Sequence, residues 1–235
     1  MSNPTRYPSG VSTIAVGNLY GNYPLPAPFH TGSNTNLGVM QYANDFVTSV
    51  AEYTVTGSSS TFAITNGLGG LALLTPGGTT TATSAYKTNQ AGQFVAQQQL
   101  WYNARFQVSA VAGNVSFRVG MQAGSAVTDG IWFSKAAAST SVNLVSVVGS
   151  TTTTLVTGVA TAAAATWLDL GLYFNGTDLL VFNGDTVVAR VAAPTIGSTG
   201  TTLTNAVLGP VFQITPVATE TMTIDFVNDS VEVAR

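Results

Sequence analysis

Residues 99–108, with the sequence QLWYNARFQV, decide the fold class because they alternate between two kinds of side chain. Successive side chains of a β-strand point to opposite faces of its sheet, so every second residue shares a face. One face of this segment carries only apolar or aromatic groups, namely Leu100, Tyr102, Ala104, Phe106 and Val108. The other face carries Trp101, Asn103 and Arg105. The alternation predicts a strand with one buried face and one face of mixed polarity.

The remainder of the chain, from residue 43 to residue 235, is a succession of short runs of the same kind separated by turn residues. About a dozen such runs, with no segment that has the pattern of a long helix, predict an antiparallel jelly-roll β-sandwich. The triplet Asn183-Gly184-Asp185 lies between two of these runs, 179–183 and 186–191, and predicts a tight hairpin. The Ala-rich segment 159–165 fits either a strand or a loop.

Residues 1–42 differ from this pattern and predict an extended N-terminal arm. Five of the nine prolines lie here, and each proline fixes its own φ and favours extended geometry in the residue before it. The arm also carries apolar and aromatic side chains that a purely solvated tail does not need. We expect them to bind a partner surface, with a disordered terminus as the alternative. The candidate contact residues are Arg6, Tyr7, Tyr20, Tyr23, Leu25 and Phe29.

Charged residues make up only 7% of the chain, whereas an average soluble domain has roughly 25%. A surface so poor in charge suggests a protein that functions in an assembled state. The net charge of −3 provides no basic surface for nucleic acid, so no nucleic-acid partner is expected. No apolar stretch reaches the roughly 18 residues of a spanning helix, so no membrane partner is expected either.

The residues that most enzymes use are scarce. There is no cysteine, and the single histidine, His30, lies in the predicted arm. A catalytic triad needs a base beside a nucleophile in a rigid pocket, so no catalytic residue, cofactor or metal is predicted and the chain is not expected to be an enzyme. A glycosidase carboxylate pair and a Ca²⁺ site remain open alternatives. For Ca²⁺ the candidate segments are 175–178 and 183–185, although Asn, Asp and Gly are also the residues that turns require.

Two kinds of side chain have competing interpretations. Trp101, Trp132 and Trp167 are candidates for sugar stacking, but each lies in an apolar run, and core packing is the favoured interpretation for at least two of them. Asp225 lies inside a strand-like run, where Asp is depleted, so we expect it to pair with Arg105 or Arg118.

Several segments in order resemble a group of tailed-bacteriophage virion proteins. They are 5–12 (TRYPSGVS), 44–46 (NDF), 53–56 (YTVT), 100–106 (LWYNARF), 128–133 (TDGIWF), 166–167 (TW), 171–176 (GLYFNG) and 224–227 (IDFV). The resemblance spans nearly the whole chain, and the order of the segments is more specific than any one of them. It implies a concanavalin/LamG-like jelly roll on the capsid exterior. It provides no catalytic residues to transfer.

The resemblance and the charge poverty together predict a capsid decoration, or cement, protein. Its expected partners are the major capsid protein and further copies of itself, as a homotrimer, on the capsid surface of a virion assembled in the host cytoplasm. The alternative is a carbohydrate-binding, lectin-like module of a phage tail or head fibre, with a surface glycan as partner. A polysaccharide-cleaving enzyme is the third hypothesis.

Overall fold

The computed structural model describes residues 37–47, 49–65, 67, 70–78, 81–87, 92–111, 113–125 and 127–234. These residues form seventeen strands and no helix, and so contain no helix that could cross a membrane. In chain order the strands are β1 (Leu37–Asn44), β2 (Thr54–Thr56), β3 (Thr61–Thr65), β4 (Leu71–Thr75), β5 (Thr83–Tyr86), β6 (Leu100–Val108), β7 (Ser116–Gln122), β8 (Gly130–Lys135), β9 (Ser141–Val148), β10 (Thr151–Thr161), β11 (Leu168–Phe174), β12 (Leu179–Asn183), β13 (Thr186–Val191), β14 (Ile196–Gly197), β15 (Leu203–Thr204), β16 (Gly209–Thr215) and β17 (Met222–Ala234).

Two large antiparallel sheets form a sandwich, which confirms the predicted jelly-roll fold. Sheet A has the order β13-β12-β11-β6-β17-β4-β3, and β1 also pairs with β17. Sheet B has the order β10-β9-β8-β7-β16-β5-β2. β14 and β15 form a separate two-stranded parallel pair. Both sheets combine hairpins of consecutive strands with pairs that are distant in sequence, such as β11-β6, β6-β17 and β7-β16, so the fold depends in part on long-range pairing.

The core lies between the two sheets and is built from their inward-facing side chains. The apolar face predicted for β6 supplies five of them, from Leu100 to Val108, and all five are buried. One end of the core is a group of four aromatic rings, Phe46, Tyr53, Phe62 and Phe212, whose centroids lie 5.1 to 6.4 Å apart. Burying one large apolar side chain stabilises a fold by about 1.5–3 kcal/mol, so this layer provides the main driving force for folding.

The two ends of the described chain pair with each other. β1 begins at Leu37, inside the segment predicted as arm, and pairs with β17 from Leu37↔Ala234 to Asn44↔Val227. β17 is one strand of 13 residues between β6 and both β4 and β1, whereas the sequence suggests a strand at 221–227 and a separate edge at 231–233. Residues 1–36 lie outside the described residues. The arm contacts Arg6, Tyr7, Tyr20, Tyr23, Leu25 and Phe29 therefore stay predictions, as does the position of His30.

The predicted hairpin after Asn183 is confirmed. Asn183 pairs with Thr186, which leaves Gly184 and Asp185 as the two-residue turn. Gly184 has φ +57°, a conformation that costs glycine little and most other residues more. The turn places Asp185 at the edge of sheet A, next to the outward face of β11.

Candidate functional site

The candidate site lies on the outward face of sheet A, where β6 runs between β11 and β17. Because Ala104 and Phe106 point into the core, the alternating residues Asn103 and Arg105 point outward. Asp169 of β11 pairs directly with Arg105 and shares this outward face. A polar group therefore forms on the outward side of a sheet whose other side packs mainly apolar residues into the core.

A β-bulge adds Asp225 to this group. Ile224 and Phe226 pair with successive residues of β6, so Asp225 is the extra residue between them. Its Oδ2 accepts a hydrogen bond from Nη1 of Arg105 at 2.6 Å, which confirms the first of the two predicted partners. The Asp225 side chain is 1% exposed and that of Arg105 is 36% exposed. Removing Arg105 would leave a buried carboxylate without its counter-ion, a change that destabilises proteins strongly.

Trp167 contributes an aromatic surface just before β11. The Arg105 guanidinium lies 4.9 Å from the centroid of its ring, within the range of a cation–π interaction. Trp167 is half-buried, whereas Trp101 and Trp132 are 0% and 4% exposed. The prediction that at least two tryptophans are packing residues is therefore confirmed, and Trp167 is the one that retains an open surface.

The two buried tryptophans do not belong to the core between the sheets. Trp101 packs against Phe182 and Tyr173 on the outside of sheet A, with ring centroids 5.7 and 6.3 Å away. Trp132 forms a separate apolar cluster with Val145 and Val147 on sheet B. The apolar runs around these tryptophans predict burial but do not reveal on which side of the sheet it occurs.

Asn103, Arg105, Trp167, Asp169 and Asp225 are together called the Arg105 cluster. Within it, burial raises the pKa of Asp169 to about 6. The neighbouring Asn103 side chain and the positive charge of Arg105 oppose this shift, while the negative charges of Asp185 and Asp225 add to it. Asp169 therefore changes its charge near neutral pH, which is uncommon for a carboxyl group and frequent at functional sites.

The cluster has hydrogen-bonding capacity that the described residues do not use. Oδ1 of Asp169 and Oδ1 of Asn103 are buried and accept no hydrogen bond from the described part of the chain. Buried polar atoms in native proteins are almost always paired with protein or water. Two unpaired acceptors beside an arginine and a half-buried tryptophan are suited to a ligand rich in hydroxyl groups.

The hairpin turn between β12 and β13 lies at the edge of the Arg105 cluster. The Gly184 N–H donates to the backbone oxygen of Asp169 at 2.7 Å, so the turn is held directly beside β11. Asp185 is exposed in this turn, and its charge reaches Asp169. The described residues nevertheless contain no group of three or more His, Cys, Asp or Glu side chains arranged to hold a metal ion.

The other segment considered for Ca²⁺ is a turn whose oxygen atoms are already occupied. Oδ1 of Asn175 accepts hydrogen bonds from the N–H groups of Thr177 and Asp178, at 2.9 and 2.7 Å. The Asp178 carboxylate binds Arg190 at 2.6 Å and the Ala193 N–H at 3.0 Å. The interpretation of 175–178 as a turn is confirmed.

The sequence points to only part of the cluster. The outward positions of Asn103 and Arg105 and the pairing of Asp225 follow from alternation and from the rarity of Asp in strands. The meeting of Asp169 with Arg105 depends on the register between β6 and β11, which lie more than 60 residues apart. Asp169 lies between two leucines in an apolar run. An isolated acidic residue in such a run is the only local sign that this position could belong to a functional site.

No protein-family model matches the sequence, and no curated protein matches it. Solved structures do share the fold. An endo-1,3-β-glucanase from Streptomyces sioyaensis has a TM-score of 0.57 at 9% identity, covering 85% of this chain and 98% of that one. A prokaryotic β-1,3-1,4-glucanase (lichenase) derived from a mouse hindgut metagenome has a TM-score of 0.56 at 10% identity, covering 83% and 99%. The CBM2 module of the evolved Dit of Lactobacillus casei BL23 phage J-1 has a TM-score of 0.54 at 11% identity, covering 86% and 100%.

These structures correct the prediction that the chain is not an enzyme. Two of the three are glucanases, so the fold that the chain adopts is one on which polysaccharide cleavage occurs. The scarcity of histidine and the lack of cysteine give no reason to exclude catalysis by a pair of carboxylates. At 9–11% identity the likeness establishes the fold and leaves activity to experiment.

Proposed function

We propose that the protein is a carbohydrate-binding β-sandwich module whose saccharide site is the Arg105 cluster. The observation that carries this proposal is the pair of unsatisfied acceptors, on Asp169 and Asn103, beside the half-open ring of Trp167. Saccharides present hydroxyl donors on the ring edge and apolar C–H groups on the ring face. Such a ligand matches both parts of the site.

The sharing of this fold with a phage CBM2 module and with glucanases supports the same class of ligand. Asp225 serves here as a support, because it is almost fully buried and holds the guanidinium in place. Asp169 is the group that meets the ligand. Its ionised carboxylate forms stronger hydrogen bonds with hydroxyl groups than its neutral form does.

A glycan array followed by calorimetric titration of the best ligand tests the proposal. We expect Trp167→Ala and Asp169→Asn each to weaken saccharide binding by about tenfold or more, the equivalent of about 1.4 kcal/mol. Asp178→Asn is the matched control, since it removes an equivalent carboxylate from a turn outside the cluster. A reducing-sugar assay on the same ligands measures any cleavage. Absence of saccharide binding, or equal binding by all three variants, would overturn the proposal.

The second candidate function is that of a capsid decoration protein, in which the major capsid protein and further copies of the chain are the partners. The specific observation in its favour is the charged fraction of 7%, which suits a surface that is covered in an assembly. The two functions are compatible, because a module on a virion surface can also bind a glycan.

Capsid occupancy of a variant lacking residues 2–36 tests the decoration role. This truncation removes the six predicted contact residues of the arm and keeps β1, which begins at Leu37 and pairs with β17. We expect occupancy to fall at least about tenfold because the apolar contacts of the arm would be lost. Unchanged occupancy would show that the arm does not anchor the protein.

A further inference from the structure

A second cationic site lies on the opposite side of the molecule, on the outward face of sheet B. Phe117 and Val119 of β7 point into the core, so Arg118 between them points outward. Its guanidinium lies 4.9 Å from the ring centroid of Trp132. Burial lowers the pKa of Arg118 to about 10, so the group remains charged at neutral pH although it is partly desolvated.

Arg118 differs from the other cations in the part of the chain that the structure describes. The other four each meet an oxygen atom: Lys87 with Glu52, Arg105 with Asp225, Arg190 with Asp178, and Lys135 with the Val115 carbonyl. The Arg118 Nε is buried and has no hydrogen-bond partner among the described residues. A partly buried guanidinium without an anion is costly for a protein to maintain, and it provides a ready partner for a carboxylate.

The strand register places uncharged polar groups in a row on both sides of this arginine. Gln213 of β16 pairs with Arg118 from one side and Ser134 of β8 pairs with it from the other. The row continues to Ser84 on β5 and to Asn143 on β9. Residues paired directly across antiparallel strands point to the same face, so the row crosses five strands of sheet B.

A cavity of about 230 Å³ lies along this row. It contains no Asp or Glu, and its polar lining residues are Ser116, Arg118, Ser134, Lys135, Gln213 and Thr215. The volume is below the range of about 300–1,000 Å³ typical of pockets for drug-sized ligands, so it fits a small group such as one sugar unit.

We propose that this row is a separate site for a carboxylated sugar, a hexuronate unit of an acidic saccharide. The guanidinium of Arg118 binds the carboxylate through two N–H groups, and Ser134 and Gln213 bind hydroxyl groups of the same sugar ring. Only the choice of a saccharide rests on the proposed function. The site itself is distinct from the Arg105 cluster and lies on the other sheet.

Titration of the full chain with a glucuronate trisaccharide, and with a neutral glucose trisaccharide, tests this site. We expect Arg118→Gln to weaken binding of the glucuronate trisaccharide at least about tenfold, because charge-assisted hydrogen bonds are lost. Arg118→Lys should restore part of the affinity, since it keeps the charge but not the bidentate geometry. Arg190→Gln removes the same charge from an exposed ion pair and should leave affinity unchanged.

The two proposed sites can be tested independently of each other. Trp167→Ala should weaken any neutral saccharide bound at the Arg105 cluster and leave the glucuronate trisaccharide at Arg118 unaffected. Thermal unfolding of Arg118→Gln serves as the folding check. We expect only a small loss of stability, because the substitution removes the contact with the Trp132 ring but breaks no ion pair with a described residue. The proposal is overturned if the glucuronate trisaccharide does not bind or binds Arg118→Gln equally well. It is also overturned if a glutamate tripeptide binds as tightly, which would indicate an acidic protein partner instead.

Discussion

Two arginines, Arg105 and Arg118, lie in similar surroundings on the two outer faces of the sandwich. Each guanidinium lies 4.9 Å from the ring of a tryptophan, and each side chain alternates with core residues along its strand. They differ in their counter-ions, because Arg105 is bound by Asp225 and Arg118 has no acidic partner among the described residues. This difference underlies the two proposed ligand classes, hydroxyl-rich saccharides on sheet A and carboxylated sugars on sheet B.

A third unusual residue, Asp229, is buried in the core side of sheet A. It is 5% exposed and pairs with Tyr42 of β1 and Tyr102 of β6. Burial raises the pKa of Asp229 to about 7, although the charge of Lys87 and the backbone N–H of Tyr42 lower it in part. Its Oδ2 and the Tyr102 hydroxyl have no hydrogen-bond partner among the described residues.

Asp229 predicts a specific dependence of stability on pH. Its pKa is higher in the folded chain than the ordinary value of 3.8, so the folded state binds more protons between these values. Its favourable contribution is therefore complete below about pH 4 and is lost as the pH rises through about 7. The raised pKa of Asp169 likewise makes the folded state less stable as the pH rises to about 6. We expect the melting temperature to fall between pH 5 and pH 8.

Thermal unfolding of Asp229→Asn across pH 5 to 8 measures this effect. The amide cannot ionise, so the fall in melting temperature should become clearly smaller. Glu220→Gln is the control, because backbone hydrogen bonds lower the pKa of Glu220 and place its titration below this range. An equally steep fall in Asp229→Asn would show that the buried carboxyl does not control stability.

At the scale of elements, the local sequence pattern is sufficient to predict the bounds of some strands but not of others. β12 and β13 match the predicted segments 179–183 and 186–191, since alternation and turn residues define them locally. β1 was not predicted because its stability comes from pairing with β17, almost 200 residues away. The same limit applies to the candidate site, where the contact of Asp169 with Arg105 is set by non-local register and not by local sequence.

The pairing of β1 gives a prediction about truncation. The Tyr42 hydroxyl lies 2.5 Å from Glu52 and 2.9 Å from the Tyr53 hydroxyl, and Asn44 donates to Glu52 at 2.7 Å. Removing residues 2–44 would break this network and expose one edge of β17. We expect a loss of several kcal/mol and a fall in melting temperature of about 10 °C or more.

Removing only residues 2–36 is the matched control and should leave the melting temperature within a few degrees of the full chain. Equal melting temperatures for the two truncations would contradict the assignment of β1 to the sandwich. A large fall for the shorter truncation would show that residues 2–36 stabilise the isolated chain itself.

At the scale of the whole molecule, the chain combines a low content of charge with two polar patches on opposite faces. In the described residues the acidic groups of the Arg105 cluster lie on sheet A, while the row around Arg118 on sheet B contains no acid. The rest of the sandwich is rich in Thr, Ser, Ala and Gly. Depletion of charged residues is also a feature of the buried centres of protein–protein interfaces.

The most direct test of the central claim is an NMR titration of isotope-labelled protein with the neutral saccharide that binds best on the array. We predict that the largest shifts occur at the backbone amides of Asn103, Arg105 and Asp169 and at the indole N–H of Trp167. These shifts should be lost in Trp167→Ala, with the spectrum otherwise that of a folded chain. Shifts that lie only outside the Arg105 cluster, or no shifts at all, would contradict the claim that sheet A carries a saccharide site.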